Sequence, residues 1–566
     1  MIVRRFAAAS LAALALAACS KQPAPASAPV GEEEFADTVF YGGPIYTGVE
    51  TSPTVEAVAV KDGGVEAAGA RDAIEAMIGP ETAIVDLRGA AMYPGFTDAH
   101  AHLLGIGMRE LTLNLEDIGS IDALVDILAA NVAESEAGAV IYGRGWIETG
   151  WPENRFPGRD DIDPVSPDNP VVLYRADGHA ALVNSAAMKA AGVGETTPDP
   201  DGGRIEKDAD GRPTGILIDN AMGLVAGLIA APSPAQKREA YRVAGEVYAA
   251  YGWTGLHNMS VDPADIGLIE EMSDAGELNI RVYNSVEREG FDGLVANGPR
   301  ASANGRVITR AIKLYVDGAL GSRGAALLEP YSDKPDTSGL LLLEKDDAMA
   351  ILDKAIEAGV QVNTHAIGDR GNRLVLDWYE EAFAAHPEAS DLRWRIEHAQ
   401  ILNPVDIPRL AGLGVIPSMQ PSHAIGDLFF APGRLGPGRL AGAYAWRSLI
   451  DAGAIIPGGS DAPVERGDPR IEFYAAAARK SLDGYSDENW HGEEAVARAE
   501  ALKMFTVWPA YASFEEDRLG AIEAGKRADF TVFSKDIMTA PVEEILKAKA
   551  VMTVVDGVIV YQSQAE

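Results

Sequence analysis

Apolar positions come in short, strand-length blocks at both ends of the chain. Residues 38–41 (Thr-Val-Phe-Tyr), 57–60 (Ala-Val-Ala-Val) and 83–87 (Ala-Ile-Val-Asp-Leu) are separated by turn signals such as Asp62-Gly63. That pattern predicts a small antiparallel unit over 36–91. The same texture returns over 520–566, in 529–533, 550–555 and 558–561 around an Asp556-Gly557 turn. Each piece is too small to close a core alone, so the two ends are expected to share one sheet system. Between them the period changes. Helical stretches over 233–251, 346–358, 370–385, 404–413 and 444–451 each precede an apolar run, at 254–257, 360–365, 394–398, 415–419 and 454–456. Repeated helix–strand units without a glycine-rich nucleotide fingerprint predict an α/β fold, a (β/α)8 TIM-like barrel over 92–519, rather than a doubly wound sheet. Residues 140–220 break the rhythm with Gly/Pro turns and apolar runs. They are expected to form a β-rich insertion over the barrel mouth.

The amino terminus adds a location. Arg4 and Arg5 precede a thirteen-residue run, 6–18, apolar except for Ser10, then Cys19. This run is too short to span a bilayer and has the layout of a signal peptide over 1–18. Leu16-Ala17-Ala18-Cys19 resembles a bacterial lipobox, and Cys19 is the only cysteine, so it is expected to carry a lipid. The competing reading is an ordinary secretory signal with an incidental cysteine. Residues 19–35, rich in Pro, Ala and Ser and then acidic, read as a flexible tether. With no Asp after Cys19, the expected place is the bacterial cell envelope, at the periplasmic face of the outer membrane. The membrane is then a partner only through this anchor. Formal charge is -36, which repels phosphate backbones and argues against a nucleic-acid partner.

Candidate chemistry sits at strand ends. His100 and His102 close the run Tyr93-Pro94-Gly95-Phe96-Thr97-Asp98-Ala99-His100-Ala101-His102; alternate residues of a strand share a face, so both can grip one ion. His365, His398 and Asp461 each follow an apolar run, at intervals of one and then two β/α units. The carboxyl ends of barrel strands are where active sites are built. Lys313 lies inside an apolar strand, where an unpaired ammonium is costly. Two readings stay open for it: an ion pair with Asp317 or Glu329, or a neutral amine able to take up carbon dioxide as a metal-bridging carbamate.

These stretches, with Gly143-Arg144-Gly145-Trp146, Asp177-Gly178-His179, Arg395-Ile396-Glu397-His398 and Gly459-Ser460-Asp461, resemble the metal-dependent amidohydrolase superfamily, in its branch related to N-substituted formamide deformylase. The resemblance runs from about 36 to 561. It implies a composite β-sandwich from the two chain ends, and two ions, expected to be zinc (Zn2+), with manganese, iron or nickel as the alternatives. His100, His102, Lys313 and Asp461 would hold one; a carboxylated Lys313, His365 and His398 would hold the other. It also implies hydrolysis of an amide- or formamide-type C–N bond of a small molecule by a metal-activated hydroxide, with Asp461 as the proton shuttle. Deamination, or ester or lactone hydrolysis, at the same site is the alternative within enzymes. A metal-dependent binding lipoprotein without turnover is the alternative outside them. His179, Trp146 and His423 are expected substrate contacts, with core packing as the competing reading for Trp146 or Trp151. His257, His386 and His491 are expected to be structural or surface residues. Large barrels often pair, so a homo-oligomer is expected, of a size that the sequence does not fix.

Overall fold

The computed structural model describes residues 35–564 except 117, 149–150, 177, 179, 201–202, 390 and 489. The leader, Cys19 and nearly all of the tether lie outside the described residues, as does His179. Among the described residues no helix is long and apolar enough to cross a membrane.

The chain ends meet in one eight-stranded sheet. Phe530–Phe533 from the far end pairs antiparallel with Ala91–Pro94, Phe530 opposite Pro94 and Phe533 opposite Ala91. Ala57, Val58, Ala59 and Val60 are all buried, because the strand Thr54–Lys61 is covered on both faces. Asp62 and Gly63 both adopt positive φ (49° and 71°), so this Asp-Gly pair makes the two-residue hairpin turn expected of it. Phe40 meets Phe530 edge to face at 5.3 Å, one of the contacts that join residues almost 500 positions apart.

Charge ties this sheet to the barrel. Asp529 takes a bidentate pair from Arg281 (2.6 and 3.0 Å). Asp556 accepts from Arg281 at 2.5 Å, from Arg306 at 2.6 Å and from Arg527. Burial alone would raise the Asp556 carboxyl, but the three guanidinium groups lower it from 3.8 to about 2. A depressed folded-state pKa stabilises fully above the unfolded value and fades as pH falls through the folded one. Asp556 therefore supplies about 2 kcal/mol that is lost between about pH 4 and pH 2. Asp556→Asn should lower stability at pH 7 by that amount and flatten the acid limb, read by urea unfolding across pH. An acid limb of unchanged steepness in the variant would refute this tie.

The barrel follows the helix–strand rhythm. Its strands are Phe96–Ala101, Trp253–Val261, Arg281–Val286, Val307–Tyr315, Gln361–Ala366, Arg395–His398 and Ile416–Ser418, all parallel to their neighbours. The helix Pro234–Tyr251 starts on a Ser233/Gln236 capping box and stops at Gly252 (φ 109°), signals legible in the sequence. The expected eighth strand at 454–456 is not an extended strand. Pro457 has no N–H, and the chain instead closes the barrel over 457–461 with a few bonds. Met419 N–H donates to Pro457 O (3.1 Å) and Gly459 N–H to Met419 O (3.0 Å) on one side. Ala99 N–H donates to Gly458 O (3.0 Å) and Asp461 N–H to His100 O (2.7 Å) on the other.

The insertion occupies the connection between the first and second barrel strands. Its six-stranded sheet runs from Leu113–Asn114 to Pro213–Asp219, so it starts earlier than the expected 140. The two-residue opening strand is too short to show periodicity. Trp146 and Trp151 are buried in its core with Leu124, Leu173 and Leu182.

Candidate metal centre

Strand one delivers His100 fully buried, and His102 just beyond it N-caps the helix Leu103–Leu111. The segment 457–461, which closes the barrel in place of an eighth strand, delivers Asp461. The side chains converge: Asp461 Oδ1 is 3.1 Å from His102 Nε2 and 3.6 Å from His100 Nε2. Lys313 Nζ, from strand four, is 3.3 Å from His100 Nε2. The His398 ring centroid is 4.7 Å from that of His100 and 4.5 Å from that of His365. Single ligand atoms of His100, His398 and Asp461 all lie within 4.8 Å of one another.

The far nitrogens show what the near ones can do. His100 Nδ1 is 2.6 Å from Glu397 Oε2, His102 Nδ1 is 3.1 Å from Met259 O, and His398 Nδ1 is 2.7 Å from Gln420 Oε1. Each partner is an acceptor, so each Nδ1 carries the proton and each Nε2 keeps a lone pair. Burial first of all pushes His100 and His398 well below the usual imidazole range, and His365 to about 3. Neutral lone pairs thus face a carboxylate. Acceptor against acceptor at 3.1 Å is repulsive unless a cation sits between, and imidazole with carboxylate suits a transition ion. The residues fit a divalent metal.

Lys313 is 2% exposed, and burial brings its amine down to about 8. The ion-pair reading does not hold. Asp317 instead accepts backbone N–H bonds from Ala326, Ile367 and Gly368 (2.8, 2.9 and 2.8 Å), and Glu329 is exposed.

Backbone geometry sets these positions. Asp461 has φ 62° and His398 φ 74°, costly for residues with a Cβ and typical of sites over-determined by their surroundings. A Cβ on Gly459 would lie 2.5 Å from His100 N, so only glycine lets the segment 457–461 approach strand one this closely. Asp98 clamps the two together: it accepts from Ser460 Oγ (2.5 Å), Ser460 N (2.9 Å), His100 N (3.1 Å) and Tyr248 OH (3.0 Å).

Beneath the centre, Glu397 is held by Arg395 (Nε to Oε1, 2.7 Å), both without exposure. Arg395 also donates to Ala99 O (2.6 Å), Ser418 Oγ (2.7 Å) and His257 Nδ1 (2.8 Å). His257 is accordingly part of the barrel floor, while His386 and His491 pair with Asp353 and Glu493. Sequence reasoning named the side chains that converge here but not Glu397, Arg395, Gln420 or Asp98, which orient them. The available signal was charge at alternate positions, Arg395 and Glu397, of an otherwise apolar strand. Glu397 fixes the His100 tautomer. Glu397→Gln should therefore weaken metal binding by about 10- to 100-fold, read by competition with a chromogenic chelator. Unaltered affinity would remove Glu397 from this role.

His423 lies at the centre. Its Nδ1 accepts from Gln400 Nε2 (2.9 Å), so Nε2 carries the proton; that atom is buried without a hydrogen-bond partner and is 3.8 Å from Asp461 Oδ2. Trp146 is elsewhere. It has no exposure, and its indole N–H is spent on Leu173 O at 2.8 Å, so it offers no surface to a substrate.

Residues 83–561 match the profile of the amidohydrolase family. The chain is 34% identical over 534 residues to the amidohydrolase YtcJ of Bacillus subtilis (strain 168), spanning 93% of this chain and 99% of that one. It is 28% identical over 524 residues to N-substituted formamide deformylase of Arthrobacter pascens, 90% and 95% covered. A solved metal-dependent hydrolase from Pyrococcus horikoshii superposes with a TM-score of 0.74 at 27% identity, over 89% of this chain and 99% of that one. A profile that reaches into both terminal β pieces, joined to a barrel mouth whose lone pairs converge as a cation requires, has one reading: the chain belongs to the amidohydrolase family, as a metal-dependent hydrolase of carbon–nitrogen bonds other than peptide bonds.

Proposed function

We propose that the centre holds two zinc ions and hydrolyses an amide- or formamide-type C–N bond of a small molecule. His100, His102, Lys313 and Asp461 would hold one ion; Lys313, His365 and His398 would hold the other. Lys313 would act as a carbamate, formed when its neutral amine adds to carbon dioxide and releases one proton. When bound, the ions supply acidity to a water and polarise the substrate carbonyl.

The remaining steps belong to the chain. Asp461 accepts the proton of the attacking water as its oxygen bonds to the carbonyl carbon. The same carboxyl then hands the proton to the departing nitrogen as the C–N bond breaks. His423 Nε2–H, aimed inward and otherwise unpartnered, donates to the carbonyl oxygen as charge builds there.

The observation that carries this reading is the set of histidine lone pairs turned on the Asp461 carboxylate by acceptors behind them. A relative named N-substituted formamide deformylase supports the bond type. The test is metal analysis of the purified protein together with a screen of N-acyl amino acids, formamides, cyclic ureides and lactones, each with and without chelator. Two ions per chain and chelator-sensitive amide cleavage are expected. Protein that takes up no metal, or cleaves lactones alone, would overturn the assignment.

A further inference from the structure

A cleft of about 700 Å³ opens between the insertion and the barrel mouth, lined at its inner end by His102. That volume suits a small-molecule ligand. His102 is also the most exposed of the converging histidines for which an ion-pair geometry is recorded, with 29% of its side chain accessible against 1% for His100, 12% for His365 and 4% for His398. A substrate whose carbonyl lies at the centre can therefore extend past His102 and along this cleft.

The walls near the centre are apolar. The insertion contributes Tyr142 and Tyr174, edge to face at 5.5 Å, and Ile229; the helix Leu103–Leu111 contributes Leu104 and Met108. Aromatic rings and a thioether accommodate a ring-sized apolar body without demanding hydrogen bonds from it.

The same lining is also acidic. Its one cation among the described residues, Lys237, is already held by Asp265 (2.7 and 2.9 Å) and approached by Asp262 (3.4 Å). Glu287, from the end of the third barrel strand, lines the same space. Its carboxylate makes no side-chain hydrogen bond or ion pair among the described residues. Burial, with Glu289 and Asp262 nearby, pushes that carboxyl above its ordinary range against an opposing pull from His102. Three carboxylates stand against one ammonium, within a chain of formal charge -36. An anionic group meets like charge here, and a cationic one meets an unpaired carboxylate.

We propose that the cleft seats the non-reacting part of the substrate, and that this part is an apolar ring- or chain-sized group ending in a cationic nitrogen that faces Glu287. The assignment rests on the hydrolytic reading for its orientation, because the scissile bond must sit at the metal centre.

Three amines with one body and different ends test it: 1,4-bis(aminomethyl)cyclohexane, cyclohexanemethylamine and 4-(aminomethyl)cyclohexanecarboxylate, titrated into the metal-loaded protein by calorimetry. Affinity should fall in that order, by about fivefold per step at low salt. Glu287→Gln should bring the first amine to the level of the second, and Ala226→Trp, which fills the cleft from the insertion side, should weaken all three. Equal affinities, or an order that Glu287→Gln leaves intact, would overturn the proposal. The N-formyl derivatives, assayed for turnover, separate it from the reaction. Ordered binding without cleavage keeps the cleft and removes the formamide reading. Cleavage at rates indifferent to the far end keeps the reaction and removes the cleft.

Discussion

Asp461→Asn is expected to lower kcat by about 10²- to 10⁴-fold while the protein still folds and still takes up metal. The substitution preserves shape, and Oδ1 remains an acceptor beside His102 and His100, which stand 3.1 and 3.6 Å away. What disappears is a site that can receive a proton and release it to nitrogen. The loss should therefore fall equally on kcat and kcat/KM, the mark of an interaction made only in the transition state. Steady-state kinetics with metal analysis of the same sample decides the matter. Turnover within a few fold of the parent would show that the proton travels by another route. The experiment also separates an enzyme from a metal-dependent binding protein, since binding alone has no use for a proton acceptor at this position.

Substitution of Lys313 by Gln should have a comparable effect for a different reason. A carboxamide cannot become a carbamate, so the proposed bridge between two ions would be lost, with bound metal falling toward one ion per chain. Lewis-acid stabilisation is worth several kcal/mol, so turnover should fall by about 10³-fold or more. The parent protein carries its own control. Burial brings the Lys313 amine from 10.5 to about 8, leaving roughly a tenth of it neutral at pH 7. Because only the neutral amine reacts with carbon dioxide, metal reloading of stripped protein should quicken with added bicarbonate and be faster at pH 8 than at pH 6. Reloading indifferent to bicarbonate, with both ions retained in Lys313→Gln, would exclude the carbamate.

Much of the site was legible because barrel strands announce their ends. A strand-length run that stops on His marks both an element boundary and a reactive position, as at His365 and His398, and Asp461 follows the run 454–456 after a short Gly-rich link. Lys313 was half legible. Its apolar surroundings implied an unusual amine, but the choice between an ion pair and a free amine depended on where Asp317 points. That carboxylate is occupied by three backbone N–H groups, a circumstance with no one-dimensional trace. Trp146 shows the converse failure. A tryptophan beside a Gly-rich turn suggests a pocket, yet its indole closes the core of the insertion sheet.

The eighth barrel position was legible as a place and not as a conformation. Its apolar residues, 454–456, suggested a strand, whereas Pro457 and Gly458-Gly459 reduce the ladder to isolated bonds. Those glycines allow the approach to His100 that carries Asp461 into range. The insertion, expected over 140–220, has a sheet that begins earlier, at Leu113–Asn114, because a two-residue strand contributes no period.

By itself the sequence determined the class of fold, the shared sheet of the chain ends, and the identity of the groups that converge at the barrel mouth. Periodicity and turn chemistry are local and survive in one dimension. Only the tertiary structure decided which nitrogen of each histidine faces the centre, which carboxylate stands free, and where a substrate's remaining bulk has room to lie. Those outcomes depend on acceptors such as Glu397, Met259 O and Gln420, brought from distant strands to within 2.6–3.1 Å of their partners. Hydrogen-bond direction and cleft shape are properties of packing between segments, and no single segment contains them.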